Sequence, residues 1–329
     1  MMNKLVISPS PHVSSGASTQ KLMRDVLIAL IPALACSVAV YGLQALITVM
    51  FSVASCVFFE YVIQRFLLKA KTSICDLSAV VTGVLLGFNL PSSLPFWMIA
   101  VGALVSIGVA KMSFGGLGRN IFNPALVGRV FLLISFTGPM TAFKEVPDFL
   151  IGTAQSDAFS GATILSYLKE GINAQASVSS LLSSVPNLTS ELFFGSRTGS
   201  IGEIGTFALL IGFVYMLIKK VISWHIPVFV LGSMFVFSGI LHLVDPEIYY
   251  SPFIHIFAGG AILGAVFMAT DYVTSPMNHL SMAIYAIGIG VITILIRVWG
   301  KFPEGMSFAI LIMNSTVPLL NKYIKPKHF

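Results

Sequence analysis

Charge is scarce in this chain. Asp, Glu, Lys and Arg make up only 10% of it, and 56% of its residues are hydrophobic. Soluble globular domains carry roughly 25% charged residues. So little charge cannot cover a soluble surface, and an all-α integral membrane protein is the expectation. Cysteine is nearly absent as well. Cys36, Cys56 and Cys75 form no Cys-x-x-Cys pair and lie in or beside apolar runs. A zinc or iron–sulfur site built from these thiols alone is therefore excluded. The histidines are scattered, with no i, i+4 pair backed by a third ligand, so no metal site is expected. P-loop, dinucleotide and nucleophile-elbow motifs are missing too. Residues 1–25 lack the long apolar core of a signal peptide. The net charge of +6 reads as cytoplasmic loop charge, and no nucleic-acid partner is expected.

What the chain does hold is apolar length. A spanning helix needs about 20 mostly apolar residues. Ten candidates stand out, at 26–43, 44–63, 77–94, 96–113, 122–139, 204–219, 221–243, 252–270, 281–297 and 305–321. Pro32, Pro91, Pro124 and Pro227 fall within them, which predicts kinked or broken spans. With the N-terminus inside, most Lys and Arg fall in inside loops. The outside loops hold Lys144, Lys169, Arg197, Arg297 and Lys301. By the positive-inside rule both termini are cytoplasmic. The organisation is then a cytoplasmic segment (1–25), five helices (26–139), an extracytoplasmic loop (140–203), five more helices (204–321) and a cytoplasmic tail (322–329). Two five-helix sets that start on opposite sides form inverted repeats, an arrangement that places sites near the repeat interface at broken helices.

Three groups of residues invite a chemical reading. The first is "GGLGRNIFNPALVGR", residues 115–129. Its glycines, including Gly118, with Asn120, Asn123 and Pro124, break the helical pattern and suit close approach of a flat polar ring. Asparagine capping of the fifth helix is the plainer alternative. The second group is the acids near the membrane. Asp25, Glu60 and Asp76 sit near cytoplasmic ends, where water exposure or helix capping accounts for them. Asp271, beside Thr270, Thr274 and Ser275, is a candidate for an ion path. The third is "DAFSGATILSYLK", Asp157–Lys169. Ser160 reads as the N-cap of a helix through "ILSYLK". Gly161 and Ala162 leave the Thr163 hydroxyl accessible to an enzyme that would modify it.

The stretch Asp157, Ser160, Gly161, Ala162, Thr163 resembles the flavinylation consensus of the RnfD/NqrB family, apart from Ala158 where that family usually has glycine. "GGLGRNIFNPALVGR", "MATDYVTSPM", "GKFPEGMSFAILIMN", "SPSPHVSSGASTQKLMRDVLIALIPAL" and "GSIGEIG" are similar to the same family. Chain length and the short N-terminal region look more like the RnfD branch than the NqrB branch. The resemblance implies a multi-pass bacterial inner-membrane subunit coupling ferredoxin/NAD electron transfer to Na⁺ or H⁺ translocation. It implies FMN joined by a phosphoester to Thr163 by a flavin transferase, and a non-covalent riboflavin, placed near Gly118, Asn120, Asn123 and Pro124. Glu203 and Arg197 become neighbours of the FMN by topology. The implied architecture resembles that of urea transporters. The implied partners are other Rnf subunits, among them a second carrier of covalent flavin that docks on the extracytoplasmic side. Competing readings are an NqrB-like subunit of a Na⁺-translocating NADH:quinone reductase, a flavin-free solute channel or transporter, and a membrane scaffold without a cofactor.

Overall fold

The computed structural model describes residues 18–69, 72–143, 163–174, 178–183, 188–194 and 198–324. Among these every regular element is helical. The first half holds α1 (Thr19–Tyr41), α2 (Leu43–Val62), α3 (Ser78–Phe88), α4 (Phe96–Leu104), α5 (Pro124–Ser135) and the short α6 (Thr137–Thr141). Three short helices follow: α7 (Ile164–Asn173), α8 (Val178–Ser183) and α9 (Leu188–Phe194). The second half holds α10 (Thr206–Ile218), α11 (His225–Val244), α12 (Pro252–Phe257), α13 (Ala261–Leu263), α14 (His279–Trp299) and α15 (Met306–Tyr323). Single π-type turns extend α2, α4 and α13.

Among the described residues, five stretches are long and apolar enough to cross a membrane: Thr19–Tyr41, Leu43–Leu67, Phe96–Phe114, His225–Val244 and His279–Trp299. Their outward faces carry bare hydrophobes such as Ile31, Met50, Phe58, Val236 and Leu243. An apolar surface this extensive needs lipid rather than water, so the protein is multi-pass. Each of the ten apolar segments contains a helix, but several are shorter than a bilayer. α3 has 11 residues, α5 has 12 and α10 has 13. At about 1.5 Å per residue these reach only about 16–20 Å. The segment expected at 252–270 is broken outright: α12 stops at Phe257, and the helix resumes at Ala261 after Gly259 (φ 68°) and Gly260. The expected breaks therefore fall at glycines as well as prolines.

The helices pack closely where glycine permits. A side chain added at Gly212 on α10 would run into the Ala29 carbonyl of α1, and one at Gly290 on α14 would meet the Val230 carbonyl of α11. Small residues at such crossings are how helices associate inside a bilayer. α1 rests on α10 and α5 on α15, so the two halves meet along these helices. α3 ends at Asn89, and the chain beyond it holds the turn before α10: Ile201 donates its N–H to Leu90 O at 3.1 Å, and Ser37 Oγ on α1 donates to Ile201 O at 2.6 Å.

Candidate functional site

Two cavities lie at opposite ends of α1. The larger, about 760 Å³, is lined near the start of α1 by Leu22, Met23 and Val26, and from elsewhere by Ser78, Thr82, Leu85, Lys111, Asn120, Asn123, Pro124, Phe267 and Asp271. Four candidates from two distant parts of the chain, Asn120, Asn123 and Pro124 on one side and Asp271 on the other, thus share one space. Their roles differ. Asn123 caps α5: its Oδ1 accepts from Ala125 N (3.1 Å) and Leu126 N (3.4 Å), and its Nδ2 donates to Met268 O at 3.2 Å. Pro124 takes the first position of α5, where its missing N–H costs nothing. Asn120 is different. Its Nδ2 donates to Phe122 O, but its Oδ1 is buried with no partner. A buried acceptor left alone is costly, and this one lines the cavity. The Asp271 carboxylate accepts from Thr274 Oγ1 at 3.2 Å. Gly118 lies in the same loop at φ 89°, with open space where a side chain would be; the cavity wall itself is formed by its neighbour Leu117.

Beside this cavity lies a buried ion pair. Lys111 Nζ donates to Glu60 Oε2 and to Ser78 Oγ, both at 2.6 Å, and the side chains of the pair are 2% and 0% exposed. Ser73 Oγ (3.0 Å) and Gln64 Nε2 (3.3 Å) donate to Glu60 Oε1. The expectation that Glu60 reaches water is therefore wrong: a partner beyond the end of α4, 51 positions away, keeps it inside. Asp76 is not the cap of α3, whose N-cap is Leu77, but its Oδ1 accepts the N–H and hydroxyl of Ser78, the first residue of that helix.

The second cavity, about 340 Å³ within the described residues, is lined by Thr163, Ile164, Glu191, Leu192, Thr198, Gly199, Glu203, Ile204, Phe257 and Gly259. Tyr41, at the end of α1, holds its rim: the Tyr41 hydroxyl donates to Gly199 O at 2.7 Å and accepts from Gly199 N at 3.0 Å. Met23, on the wall of the larger cavity, and Tyr41 are separated by about 27 Å along the helix axis. Thr163 itself is the N-cap of α7, its Oγ1 accepting from Ser166 N at 3.3 Å and lying 3.0 Å from Ser166 Oγ. This corrects the expected start of the helix: the cap is Thr163 rather than Ser160. It also corrects the expected exposure, since Thr163 is only 8% exposed and faces the cavity instead of bulk water. Asp157, Ser160, Gly161, Ala162 and Arg197 lie outside the described residues.

Below Thr163 sits a second, larger charge network. Arg129 on α5 pairs closely with Glu304 and lies 3.8 Å from Glu203 Oε1. It also donates to Asn89 Oδ1 at 2.9 Å and Ser307 Oγ at 2.6 Å. Glu304 Oε1 accepts the Gly260 N–H at 2.6 Å, an anion at the start of a helical segment. Arg297, 1% exposed, donates to the His255 and Ala258 carbonyls at the end of α12, a cation where helix polarity favours one. Arg297 was expected in a loop, but it sits in the last turn of α14. Burial and the facing Glu304 push the Glu203 carboxyl well above the usual carboxylate range, against the pull of Arg129. Burial raises Glu304 too, but Arg129, the Glu203 contact, Arg297 and the Gly260 N–H together outweigh it and hold Glu304 below the usual carboxylate range.

One more lysine fixes the Thr163 helix. Lys169 Nζ donates to the carbonyls of Ile296, Arg297, Gly300 and Phe302. It joins α7 to the end of α14. Sequence reasoning missed Lys111, Arg129, Arg297, Glu304 and Lys169 as site residues. For Arg129, inside an apolar segment, the signal was present, because an intramembrane charge marks function by default.

Residues 6–329 match the NQR2, RnfD, RnfE family. The chain is 44% identical over 98% of its length to the D component of the Na⁺-translocating ferredoxin:NAD⁺ oxidoreductase complex of Acetobacterium woodii, 94% of which is covered. It is 38% identical over 99% of its length to the D component of the proton-translocating ferredoxin:NAD⁺ oxidoreductase complex of Clostridium ljungdahlii, 96% covered. With the D component of the ion-translocating oxidoreductase complex of Halorhodospira halophila it shares 35% identity over 99% of its length, 95% covered.

Proposed function

The chain belongs to the NQR2, RnfD, RnfE family, and on that footing we propose that it is the membrane-embedded RnfD-type component of an Rnf complex, coupling ferredoxin:NAD⁺ redox chemistry to Na⁺ or H⁺ translocation. Thr163 carries covalent FMN as a phosphoester installed by a flavin transferase. A non-covalent riboflavin occupies the larger cavity. The observation that carries this reading is the placement of Thr163 and Asn120 in separate cavities at opposite ends of α1.

The residues suit these groups. Thr163 Oγ1 sits at a helix start, where backbone N–H groups favour a phosphate. In the larger cavity, the free Asn120 Oδ1 offers an acceptor to a ring N–H or ribityl hydroxyl, while Leu85, Val26 and Phe267 supply apolar walls. A flavin bound at each end supplies one-electron transfer, and the protein tunes it by hydrogen bonding and dielectric. Moving one charge across the membrane is worth about 2.3 kcal/mol per 100 mV, enough to couple to ion transport. Asp271, in the larger cavity, is the candidate for ion entry.

The larger cavity faces the cytoplasm in this reading. Its end of the molecule carries Lys21, Arg24, Arg65, Arg119, Lys219 and Lys220. The Thr163 end is then extracytoplasmic and offers the docking face for a second carrier of covalent flavin. The pairing of α1 with α10 and α5 with α15, and the interruptions after α3 and α12, support two inverted five-helix repeats. The test is direct. Full-length protein made with an active flavin transferase gives a fluorescent band on a denaturing gel, and the peptide around Thr163 gains the mass of FMN less water. Thr163→Val removes both signals. A dark wild-type band, or fluorescence surviving in Thr163→Val, refutes the assignment.

A further inference from the structure

We propose that Glu203 is a proton-binding site of the Thr163 cavity, held ready to take one proton when negative charge is added there. The part of this inference that concerns reduction rests on the reading of Thr163 as a flavin anchor. The part that concerns Glu203's own proton does not.

Geometry singles out Glu203 among its neighbours. Its carboxylate and Thr163 line the same cavity. Glu203 Oε1 faces Arg129 only at 3.8 Å, and Oε2 packs over Gly199 on the cavity wall. The Arg129 Nη1 and Nη2 groups hydrogen-bond Asn89, Ser307 and Glu304, and none of them reaches Glu203 within hydrogen-bond distance. Glu304 additionally holds the Gly260 N–H. One arginine thus serves two buried carboxylates and serves Glu304 better. The charged and titratable groups around Glu203 are Arg129 on α5, Glu304 before α15, Arg297 on α14, Tyr41 on α1 and Glu191 on α9. Among the described residues, Glu203 and Glu304 share Arg129, while Arg297 is turned to backbone carbonyls. The least supported carboxylate is the one that neutralises when the cavity becomes more negative.

The balance is simple. An electron reaches the cavity from a reduced flavin or iron–sulfur centre of a partner protein. One proton from water on that face bonds to a Glu203 carboxylate oxygen. When the electron leaves, the O–H bond breaks and the proton returns to water. Burial of Glu203 favours its protonated form already, which places the exchange near neutral pH instead of in the acid range.

Infrared spectroscopy of the full chain tests each half separately. In flavin-free Thr163→Val protein, a protonated-carboxyl carbonyl band persists into neutral pH and vanishes at alkaline pH, and adding Glu203→Gln removes it. An unchanged band in the double variant overturns the proposal, as does the absence of any such band in Thr163→Val. Where the glutamine variant does not accumulate, Glu203→Asp keeps a titrating band at a shifted midpoint, and an unshifted band refutes the assignment. In flavin-loaded protein reduced electrochemically at alkaline pH, wild type takes up as much as one proton more per flavin than Glu203→Gln, with the difference gone by pH 6. Equal uptake at alkaline pH overturns the link to reduction. A wild-type chain that never gains flavin defeats the Thr163 reading alone, and the first arm still decides Glu203.

Discussion

The two buried charge networks look alike and are built on opposite principles. At the Asn120 end, one acid and one base, Glu60 and Lys111, match each other, with Gln64 and Ser73 donating to the acid and Ser78 accepting from the base. All of these residues come from the first half. At the Thr163 end, Arg129 from the first half is shared by Glu203 and Glu304, the latter from the second half, while Arg297 is turned to backbone carbonyls. A matched pair within one half is a fastening. An arginine divided between two acids across the interface between the halves can be rebalanced by a proton or an electron.

Substitutions can break this contrast, starting with the largest effect. Arg129→Met strands two buried carboxylates and costs about 3–5 kcal/mol or more, seen as a large fall in thermal unfolding temperature in detergent. Adding Glu304→Met restores only part of it, because Glu203 remains. Lys111→Met costs a similar about 3–5 kcal/mol, but Glu60→Met with Lys111→Met returns most of the loss, because the pair is complete in itself. Full rescue in both networks would erase the distinction. Next is Gly259→Ala. Its φ of 68° and the close approach of Glu304 and Arg297 leave no room for a methyl group, and a loss of about 1–3 kcal/mol is expected from backbone strain. Lys169→Met removes charged hydrogen bonds worth about 1.5–3 kcal/mol in total. Hydrogen exchange should rise in α7 and the end of α14 while α2 and α3 stay protected. The smallest effects separate the two asparagines. Asn123→Ala loses a helix cap, about 1 kcal/mol of stability. Asn120→Ala leaves stability nearly unchanged and lowers the riboflavin content of purified protein.

The fold was legible where hydropathy governs it. The ten apolar segments each hold a helix, and the glycine-rich loop 115–118 forms the turn before α5 as its composition demands. The charged interior was not legible, for a physical reason. A hydropathy window measures the cost of placing a residue in lipid, but Lys111, Arg297 and Glu60 are placed in protein, and their partners come from distant segments. The same reason explains Ser160 and Thr163. Either hydroxyl suits an N-cap, and the choice fell to Thr163 through the packing of Ile164, Leu165 and Leu168 and the hold of Lys169 on the end of α14. Asn120 and Asn123 read as equivalent in sequence, yet one is consumed by its own helix and the other is left with an open acceptor.

The interruption between α12 and α13 is gripped from both sides by one short piece of chain. Arg297 holds the closing carbonyls of α12, Glu304 holds the opening N–H of the next segment, and only a short turn separates the two grips. That piece of chain works like a bracket around a joint. A displacement of the 298–303 turn pulls on both arms at once, so the half-helices turn together instead of separately. Because Lys169 is bolted to the same turn, the position of the Thr163 helix and the angle of the joint form a single mechanical variable.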